Sequence, residues 1–435
     1  MGIVLKEILK SYNGQAVLKN LSLEVHEGEF HVLLGPSGSG KTTILAIIAG
    51  LTKQDKGDVL IGNRNVNSLP PEKRRIGFVF QDYALFPHLN VFDNMAYGLR
   101  VKKVKESKIS ERVGYYLSKL DIEREKDKFP HQLSGGQKQR VALIRALITE
   151  PKILLMDEPM SNLDSLTKET MGDELKSIQK EMGMTTIYVT HNQGEAVLLG
   201  DRVAVLNRGK IEQVESPDEL FNHPKTEFVA RFVGAKNVLK VSVVEIKEHE
   251  AVVYVNNERL VQPFKIRVKK YPILEKGKVI NLCIHPDRIV LKKENEAGGS
   301  NFNRIRGKIV NRRNNGNALK VIIDTGGLEL HAAIRKNISD FKIHEDVWVC
   351  FAPDAPHPLC GKTCRAPYAR RKCLNQKFGN RPLVTVTMER ADRVGGKNGN
   401  PGPDRDDRDG TSMLKLSRQG GHGCLAPEYG ICGRR

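Results

Sequence analysis

Residues 35–42 constrain the fold of this chain more than any other segment, since they read Gly-Pro-Ser-Gly-Ser-Gly-Lys-Thr. The apolar run 32–34 before them predicts a buried strand, and the run 43–49 after them predicts a helix. Glycines at this spacing let backbone N–H groups surround phosphate oxygens at a helix N-terminus, where the helix dipole favours negative charge. We therefore expect a strand, a phosphate-binding loop and a helix in succession.

The polar side chains of this loop indicate a nucleotide together with its metal ion. Lys41 is placed to reach the β- and γ-phosphates, and the Thr42 hydroxyl is a ligand for Mg²⁺. A chance glycine-rich turn is the alternative, and the flanking strand and helix argue against it. The candidate nucleotide contacts are Gly35, Pro36, Ser37, Gly38, Ser39, Gly40, Lys41, Thr42 and Thr43.

A second motif, which contains two acidic residues, lies further along the chain, where residues 153–158 read Ile-Leu-Leu-Met-Asp-Glu. The apolar run predicts a buried strand that ends in two carboxylates. Such a pair is ordinarily a solvated strand end. Beside a phosphate-binding loop, the favoured interpretation is that Asp157 holds Mg²⁺ and that Glu158 takes a proton from an attacking water.

A third motif precedes this strand, where residues 133–137 read Leu-Ser-Gly-Gly-Gln. Ser134 is a good N-cap for a helix that covers residues 137–147. A helix that glycines open is also an anion site, because its first N–H groups are unpaired. Both interpretations hold together, and the candidate contacts are Ser134, Gly135, Gly136 and Gln137.

These three motifs, in this order, resemble the ATPases of the ABC family, whose signature motif residues 133–137 match. The resemblance extends to Gln81 as the Q-loop glutamine and to residues 161–164 as the D-loop, which ends in Asp164. It also extends to His191 as the switch histidine and to Tyr12 as the aromatic that stacks on adenine. Each of these residues, taken singly, has an ordinary structural alternative as a turn residue, helix cap or core aromatic.

The resemblance implies an ATPase that uses ATP and Mg²⁺, with Gln81 joining Thr42 and Asp157 as a metal ligand. It implies catalytic roles for Glu158, His191 and Gln81. In that family two subunits pair head to tail, so the signature motif of one chain binds the γ-phosphate held by the other. Phosphoryl transfer in such a site depends on positioning and charge stabilisation.

The chain is long enough for several domains, because 435 residues exceed one ordinary hydrophobic core. Residues 1–235 alternate strand and helix patterns, which predicts an α/β P-loop domain with a helical subdomain at about 85–145. Residues 236–355 contain short Val/Ile-rich runs, which predicts an all-β, OB-like domain. Residues 237–255 and 303–323 look alike, which is consistent with a duplicated barrel.

Residues 236–355 resemble the regulatory β domain of importer ATPases for molybdate/tungstate, sulfate, polyamines, iron or sugars. Residues 284–289 match its Ile-Arg-Pro-Glu motif, with His285 where arginine is usual. Residues 232–238 and 324–330 favour the molybdate/tungstate branch, with the other cargoes as alternatives. The implied partners are transmembrane permease subunits and, indirectly, an extracytoplasmic solute-binding protein, with permease docking expected at the aromatic segment 83–89.

The basic charge allows a different class, a soluble ABC ATPase of translation or DNA repair. However, residues 356–435 hold 16 Lys/Arg against 7 Asp/Glu, while the rest holds 54 against 44. Nearly half of the net charge of +19 thus lies in this Gly/Arg/Cys-rich tail, and the remainder is only mildly basic. The chain has one cassette and no long heptads, so we expect no nucleic-acid partner.

The tail also holds Cys360, Cys364, Cys373, Cys424 and Cys432, whose spacing matches no recognised zinc pattern. We expect it to be disordered. The N-terminus lacks a basic start followed by an apolar stretch, and no apolar run approaches the roughly 18 residues of a spanning helix. We therefore expect a peripheral protein at the cytoplasmic face of the membrane.

Overall fold

The structure, a computed structural model, describes residues 1–359 without 162, 259, 261–262, 294–300, 316–317 and 336–340. The strands of this part are β1 (Ile3–Tyr12), β2 (Gln15–Val25), β3 (Phe30–Leu34), β4 (Lys56–Ile61), β5 (Arg64–Asn65), β6 (Ile76–Val79), β7 (Ile153–Asp157), β8 (Thr185–Thr190), β9 (Arg202–Asn207), β10 (Lys210–Glu215), β11 (Asn237–Ile246), β12 (Glu250–Val255), β13 (Lys265–Lys269), β14 (Val279–Ile284), β15 (Val290–Lys292), β16 (Asn303–Asn315), β17 (Ala318–Asp324), β18 (Glu329–Arg335), β19 (Asp346–Phe351) and β20 (Pro356–Leu359). Its helices are α1 (Lys41–Ala49), α2 (Val91–Val101), α3 (Glu106–Lys119), α4 (Gly135–Leu147), α5 (Ser165–Met182), α6 (Gln193–Leu199), α7 (Pro217–Asn222) and α8 (Glu227–Phe232).

A six-stranded sheet forms the centre of the N-terminal domain, with the strand order β10-β9-β3-β8-β7-β6. All neighbours are parallel except β9 and β10. Every residue of β3, β7 and β8 is buried, as expected for a parallel sheet covered on both faces. The sequence interpretation of these runs as buried strands is confirmed, and their carboxyl ends meet at one edge of the sheet.

A second sheet, with the order β2-β1-β4-β5, is antiparallel and does not follow from the sequence patterns above. Its apolar residues and those of α1 share one core with one face of the six-stranded sheet. Ile44, Ile47 and Ile48 of α1 are completely buried there. Helix α1 is therefore covered on both sides, which fixes the loop that precedes it.

The helical region contains α2, α3 and α4 and packs on the other face of the six-stranded sheet. Met95 and Leu99 of α2, Val113 of α3 and Ile144 of α4 are buried in this core. These helices cover the span in which the sequence predicts a helical subdomain. The signature motif at the start of α4 is thus carried on a packed helix.

The β domain consists of two five-stranded antiparallel sheets, with the orders β13-β12-β11-β14-β20 and β18-β17-β16-β19-β15. The four strands β11 to β14 correspond in order and pairing to the four strands β16 to β19. The last strands are exchanged, since β15 follows β14 but pairs with β19, and β20 follows β19 but pairs with β14. Each half therefore completes the sheet of the other half.

Two asparagines reinforce this exchange at matching positions. Asn237 opens β11, and its side chain accepts a hydrogen bond from the His331 N–H at 2.6 Å and donates to the His331 carbonyl at 2.8 Å. Asn303 opens β16 and makes the same two contacts with the backbone of Arg267, at 2.6 and 2.8 Å. Each asparagine thus ties the first strand of one half to the third strand of the other.

The end of the β domain lies beyond the boundary at residue 355 that the sequence predicts. Strand β20 pairs with β14, and Leu359 packs in a small cluster with Cys283 and with Ala230 of the first domain. Burial lowers the pKa of His357 to about 4, with His223 acting in the same direction. The ring of His357 lies 4.8 Å from that of His223 and 5.5 Å from that of Tyr271. The sequence pattern did not predict this strand because it begins with Pro356, and proline is uncommon within sheets.

Residues 360–435, including the five tail cysteines and the predicted disorder, lie outside the described residues. Within the described part, Cys283 and Cys350 are buried free thiols. No helix of that part is long and apolar enough to cross a membrane.

We predict that a chain ending at Ala355 is less stable than a chain ending at Leu359 by about 2 to 4 kcal/mol, because β20 and the buried Leu359 side chain are lost. Urea denaturation followed by circular dichroism measures the difference. Equal midpoints for the two chains would show that β20 contributes nothing to the fold.

Candidate functional site

The loop between β3 and α1 adopts the backbone that its glycines permit. Gly38 and Gly40 have positive φ angles of 76° and 103°. A Cβ on Gly35 would lie 2.5 Å from the Leu206 carbonyl oxygen, and one on Gly40 would lie 2.7 Å from the Leu18 side chain. Substitution would therefore displace the loop backbone. The predicted strand, loop and helix are all present.

Lys41 is folded back over this loop. Its Nζ donates to the carbonyls of Gly35 at 2.9 Å and Pro36 at 3.0 Å, and the residue is 5% exposed. Burial lowers the pKa of Lys41, while the charges of Glu158 and Asp157 oppose this effect. A phosphate bound in the loop would further stabilise this buried ammonium, because its present acceptors are two neutral carbonyls.

Thr42 and Asp157 meet at the sheet edge, where the Thr42 hydroxyl donates to Asp157 Oδ1 at 3.2 Å. Burial raises the pKa of Asp157, and the nearby Glu158 adds to this effect. A hydroxyl and a carboxylate oxygen are the hard ligands that Mg²⁺ prefers. The Ser39 hydroxyl in the same loop is buried without a hydrogen-bond partner. The residues present therefore fit a nucleotide with Mg²⁺.

Glu158 and His191 are in direct contact, with 2.9 Å between Glu158 Oε2 and His191 Nδ1. Glu158 has a φ of 44°, and its N–H donates to the Val189 carbonyl at 3.1 Å. Side-chain exposure is 17% for Glu158 and 57% for His191. A shielded carboxylate next to an accessible imidazole can orient a water and take its proton.

The segment that carries His191 rests on a buried polar network that sequence reasoning missed. Glu195 accepts hydrogen bonds from Tyr188 at 3.0 Å and from Thr190 at 2.6 Å. Its other oxygen pairs with Lys168 of α5 at 3.2 Å. Asn192 caps α6, as its side chain accepts from the N–H groups of Gly194 and Glu195. A buried glutamate within a short helix gives no sequence signal, because its partners are distant in the chain.

The signature motif forms the capping box at the start of α4. Ser134 Oγ accepts from the Gln137 N–H at 3.3 Å, and Gln137 Oε1 accepts from the Ser134 N–H at 2.9 Å. Gln137 Nε2 donates to Glu125 at 3.1 Å, so these side-chain contacts stay within the helical region. A Cβ on Gly135 would meet no described atom within 4 Å, so the motif faces open space at this glycine.

The Q-loop is held by an arginine of the signature helix. Arg145 of α4 donates to the carbonyls of Tyr83 at 2.9 Å and Ala84 at 2.7 Å. Both of these residues have positive φ angles, 65° and 44°. Gln81 itself is exposed just before them. The signature helix and the Q-loop are therefore mechanically connected. This contact joins residues that are more than 60 positions apart in the chain.

The aromatic segment 83–89, at which permease docking is expected, is partly core. Tyr83 is only 6% exposed, whereas Phe86 is half-buried and lies 4.6 Å from the exposed ring of Tyr97. The buried Asn94 exchanges hydrogen bonds with the backbone of Phe86 and donates to the carbonyl of Leu89. This fixes a rigid surface beside the Q-loop.

Two further predicted residues, Asp164 and Tyr12, make local contacts. Asp164 caps α5, accepting from the N–H and hydroxyl of Thr167 at 3.0 and 2.7 Å. Tyr12 lies at the end of β1 with 45% of its surface exposed and Lys10 over its ring. D-loop residue 162 lies outside the described residues. Roles in adenine stacking and in the D-loop stay predictions.

We predict that Lys41→Ala weakens ATP binding by about tenfold to a hundredfold, because a charge-assisted contact to the phosphates is lost. Isothermal titration calorimetry with Mg²⁺ measures the Kd. Lys53→Ala, a substitution outside the loop in the same domain, is the control. An unchanged affinity in Lys41→Ala would contradict the assigned contact.

We predict that Glu195→Gln lowers the kcat of ATP hydrolysis about tenfold or more and leaves the Kd for ATP within about twofold, since the network orients His191 without contacting nucleotide. Steady-state kinetics and calorimetry separate the two effects. Glu169→Gln, an exposed glutamate of α5, is the control. A parallel loss of melting temperature, kcat and affinity would assign Glu195 a purely structural role.

Comparison with known proteins identifies both halves of this architecture. The ABC transporter family matches residues 18–161, and the TOBE domain family matches residues 282–359. A dimeric ATP-binding cassette bound to ADP and Pi is 38% identical and covers 49% of this chain and 98% of its own, with a TM-score of 0.47.

Two curated relatives are both named spermidine/putrescine import ATP-binding protein PotA. The Thermotoga maritima protein is 38% identical over 358 residues, which is 81% of this chain and 96% of that protein. The Vibrio cholerae protein is 39% identical over 360 residues, 82% of this chain and 90% of that protein. These names refer to polyamine import and do not support the molybdate/tungstate branch that the sequence favoured. That expectation depended on residues 232–238 and 324–330, which are too short to separate the branches. The chain belongs to the ABC transporter family and is an ATP-hydrolysing, ATP-binding subunit of the importer type.

Proposed function

We propose that this chain powers the import of a polyamine such as spermidine or putrescine. The observation that carries the proposal is the shared name of relatives that are 38 to 40% identical over 74 to 82% of this chain. Polyamine import is among the alternatives that the sequence allows, and it replaces molybdate/tungstate. Sulfate, iron and sugar remain the cargoes that a transport assay must separate from it.

Within one chain, the site divides the work between binding and proton transfer. Lys41 and the loop N–H groups hold the phosphates, while Thr42 and Asp157 would hold Mg²⁺. Bound Mg²⁺ neutralises the charge of the β- and γ-phosphates. Glu158 is placed to take the proton of the attacking water, and His191 keeps the Glu158 carboxylate oriented.

The open signature motif supports a site shared between two chains. Ser134 and Gly136 lie at the start of α4, where the helix dipole and the N–H groups of the first turn favour an anion. In a head-to-tail dimer they would contact the γ-phosphate that Lys41 of the other chain holds. Gln81, carried by the loop that Arg145 braces, would sense the same phosphate and Mg²⁺.

The surface beside the Q-loop is the proposed contact with membrane permease subunits. Phe86 and Tyr97 present aromatic rings there, and Asn94 makes their support rigid. Apolar surface of this kind is typical of partner binding. The subunit would then lie at the cytoplasmic face of the membrane, and a solute-binding protein on the other side would deliver the cargo.

Uptake of radiolabelled spermidine, putrescine, sulfate, ferric iron and maltose tests the cargo. The full chain is reconstituted in vesicles with its permease subunits and solute-binding protein, with ATP on the chain's side. Spermidine or putrescine uptake is the expected outcome. Uptake of another solute without either polyamine would reject the cargo and leave the ATPase assignment intact.

We predict that Glu158→Gln binds ATP with near-native affinity and lowers ATP turnover by about a hundredfold or more, because the proton acceptor is lost while the phosphate contacts stay. The same variant should trap an ATP-bound dimer. Radiolabelled phosphate release and size-exclusion chromatography measure both effects. Near-normal turnover would refute the role of Glu158. The control variant is Glu24→Gln, because Glu24 is an exposed glutamate on strand β2.

A further inference from the structure

A cleft of about 640 Å³ lies where the ATPase domain joins the β domain. We call it the junction cleft. Two cross-strand rows of β16, β17 and β18 form one side of it, Asn311–Ile322–His331 and Arg313–Lys320–Ala333. Residues 233–236 of the interdomain connection and residues 285–287 after β14 form the other side. Its volume suits a small metabolite.

The side chains of the junction cleft are strongly cationic. Lys236, Arg313 and Lys320 all line it, and none of them forms an ion pair among the described residues. Asp287 is the acidic residue of the lining, and it lies 3.3 Å from His285. The described lining therefore presents three fixed positive charges against one carboxylate, that of Asp287.

Arg313 and Lys320 are directly opposite each other on neighbouring strands. Like charges in this position destabilise a sheet. Burial lowers the pKa of His331, and the charge of Lys236 lowers it further, against the opposing effect of Glu329. These cations repel one another around the junction cleft. An anion that binds in the cleft lowers their electrostatic energy.

The junction cleft is rigidly linked to the switch segment of the ATP site. Asn237 joins the connection to the His331 backbone, as described above. Gln193, the first residue of α6, donates through its side chain to the carbonyl of Phe232, which directly precedes the cleft residue Val233. Gln193 is two residues from His191. A ligand that draws the two sides of the cleft together would therefore act on the backbone that holds α6.

We propose that the junction cleft binds a small phosphate-bearing anion and that this binding changes the ATPase rate through the contact between Gln193 and Phe232. Such regulation does not depend on the polyamine cargo. A cationic cleft also excludes the polyamine itself as its occupant, since like charges would face each other.

Calorimetry on the full chain tests the binding, with Mg-ADP saturating the nucleotide site. The probes are fructose 1,6-bisphosphate, inorganic phosphate and spermidine. We expect the bisphosphate to bind more tightly than phosphate, and spermidine, titrated alone, not to bind in the cleft. The Arg313→Gln/Lys320→Gln variant should lose about tenfold or more in bisphosphate affinity. Lys240→Gln/Lys247→Gln, which changes two lysines of the same domain outside the cleft, is the matched control and should bind as the native chain does.

Three results overturn the site: no bisphosphate binding to the native chain, equal loss in both double variants, or binding of spermidine, titrated alone, that Arg313→Gln/Lys320→Gln abolishes. Circular dichroism melting establishes that each variant is folded. Should Arg313→Gln/Lys320→Gln not fold, Lys236→Gln on the connection replaces it, with the same expected direction and Lys240→Gln as its control.

The coupling is tested by release of radiolabelled phosphate from ATP with and without the bisphosphate. We expect a change in kcat of about twofold or more in the native chain and the control variant, absent in Arg313→Gln/Lys320→Gln. Gln193→Ala should bind the bisphosphate normally and lose this response. A response that persists in Gln193→Ala, or none in the native chain, refutes the coupling. Failure here would leave uptake of the cargo unaffected, so the two proposals fail separately.

Discussion

The parallel register of β3, β7 and β8 is the constraint on which the ATP site depends. Leu34 lies opposite Thr190, and Asp157 lies opposite Val189, so the three strands end together. The loop after β3, the carboxylates after β7 and the histidine after β8 are thereby brought to one edge. A slip of one residue would separate Glu158 from His191, which are now 2.9 Å apart, and would turn buried side chains outward.

Buried polar groups behind this edge connect the switch segment after β8 to helix α5. Glu195 would be costly to bury alone, and Tyr188, Thr190 and Lys168 together satisfy it. Because Lys168 belongs to α5 and Thr190 to the switch strand, the helix after the D-loop and the switch segment share one support. A partner that moves either element acts on both.

The sequence predicts the parts of this site whose chemistry is local. The phosphate-binding loop, Asp157, Glu158 and the Ser134 cap each follow from a short run of residues, and the structure has each of them at the end of the predicted strand or helix. The brace from Arg145 to the Q-loop does not follow from any such run, since it joins residues about 60 positions apart. The cargo could not be predicted from short runs of residues either, because short similarities in the β domain carry little information about the permease.

The exchange of β15 and β20 ties the two halves of the β domain into one unit. Because each half completes the other's sheet, a displacement of β18 moves β11 through Asn237, and β11 is continuous with the connection to α8. An ordinary tandem of two barrels would absorb such a displacement between its halves. Here the pairing of β20 with β14 also places Leu359 against Ala230 of α8, so the connection is held from two sides. In the proposed coupling, small shifts at the junction cleft would therefore reach α8, whose last residue, Phe232, accepts a hydrogen bond from Gln193.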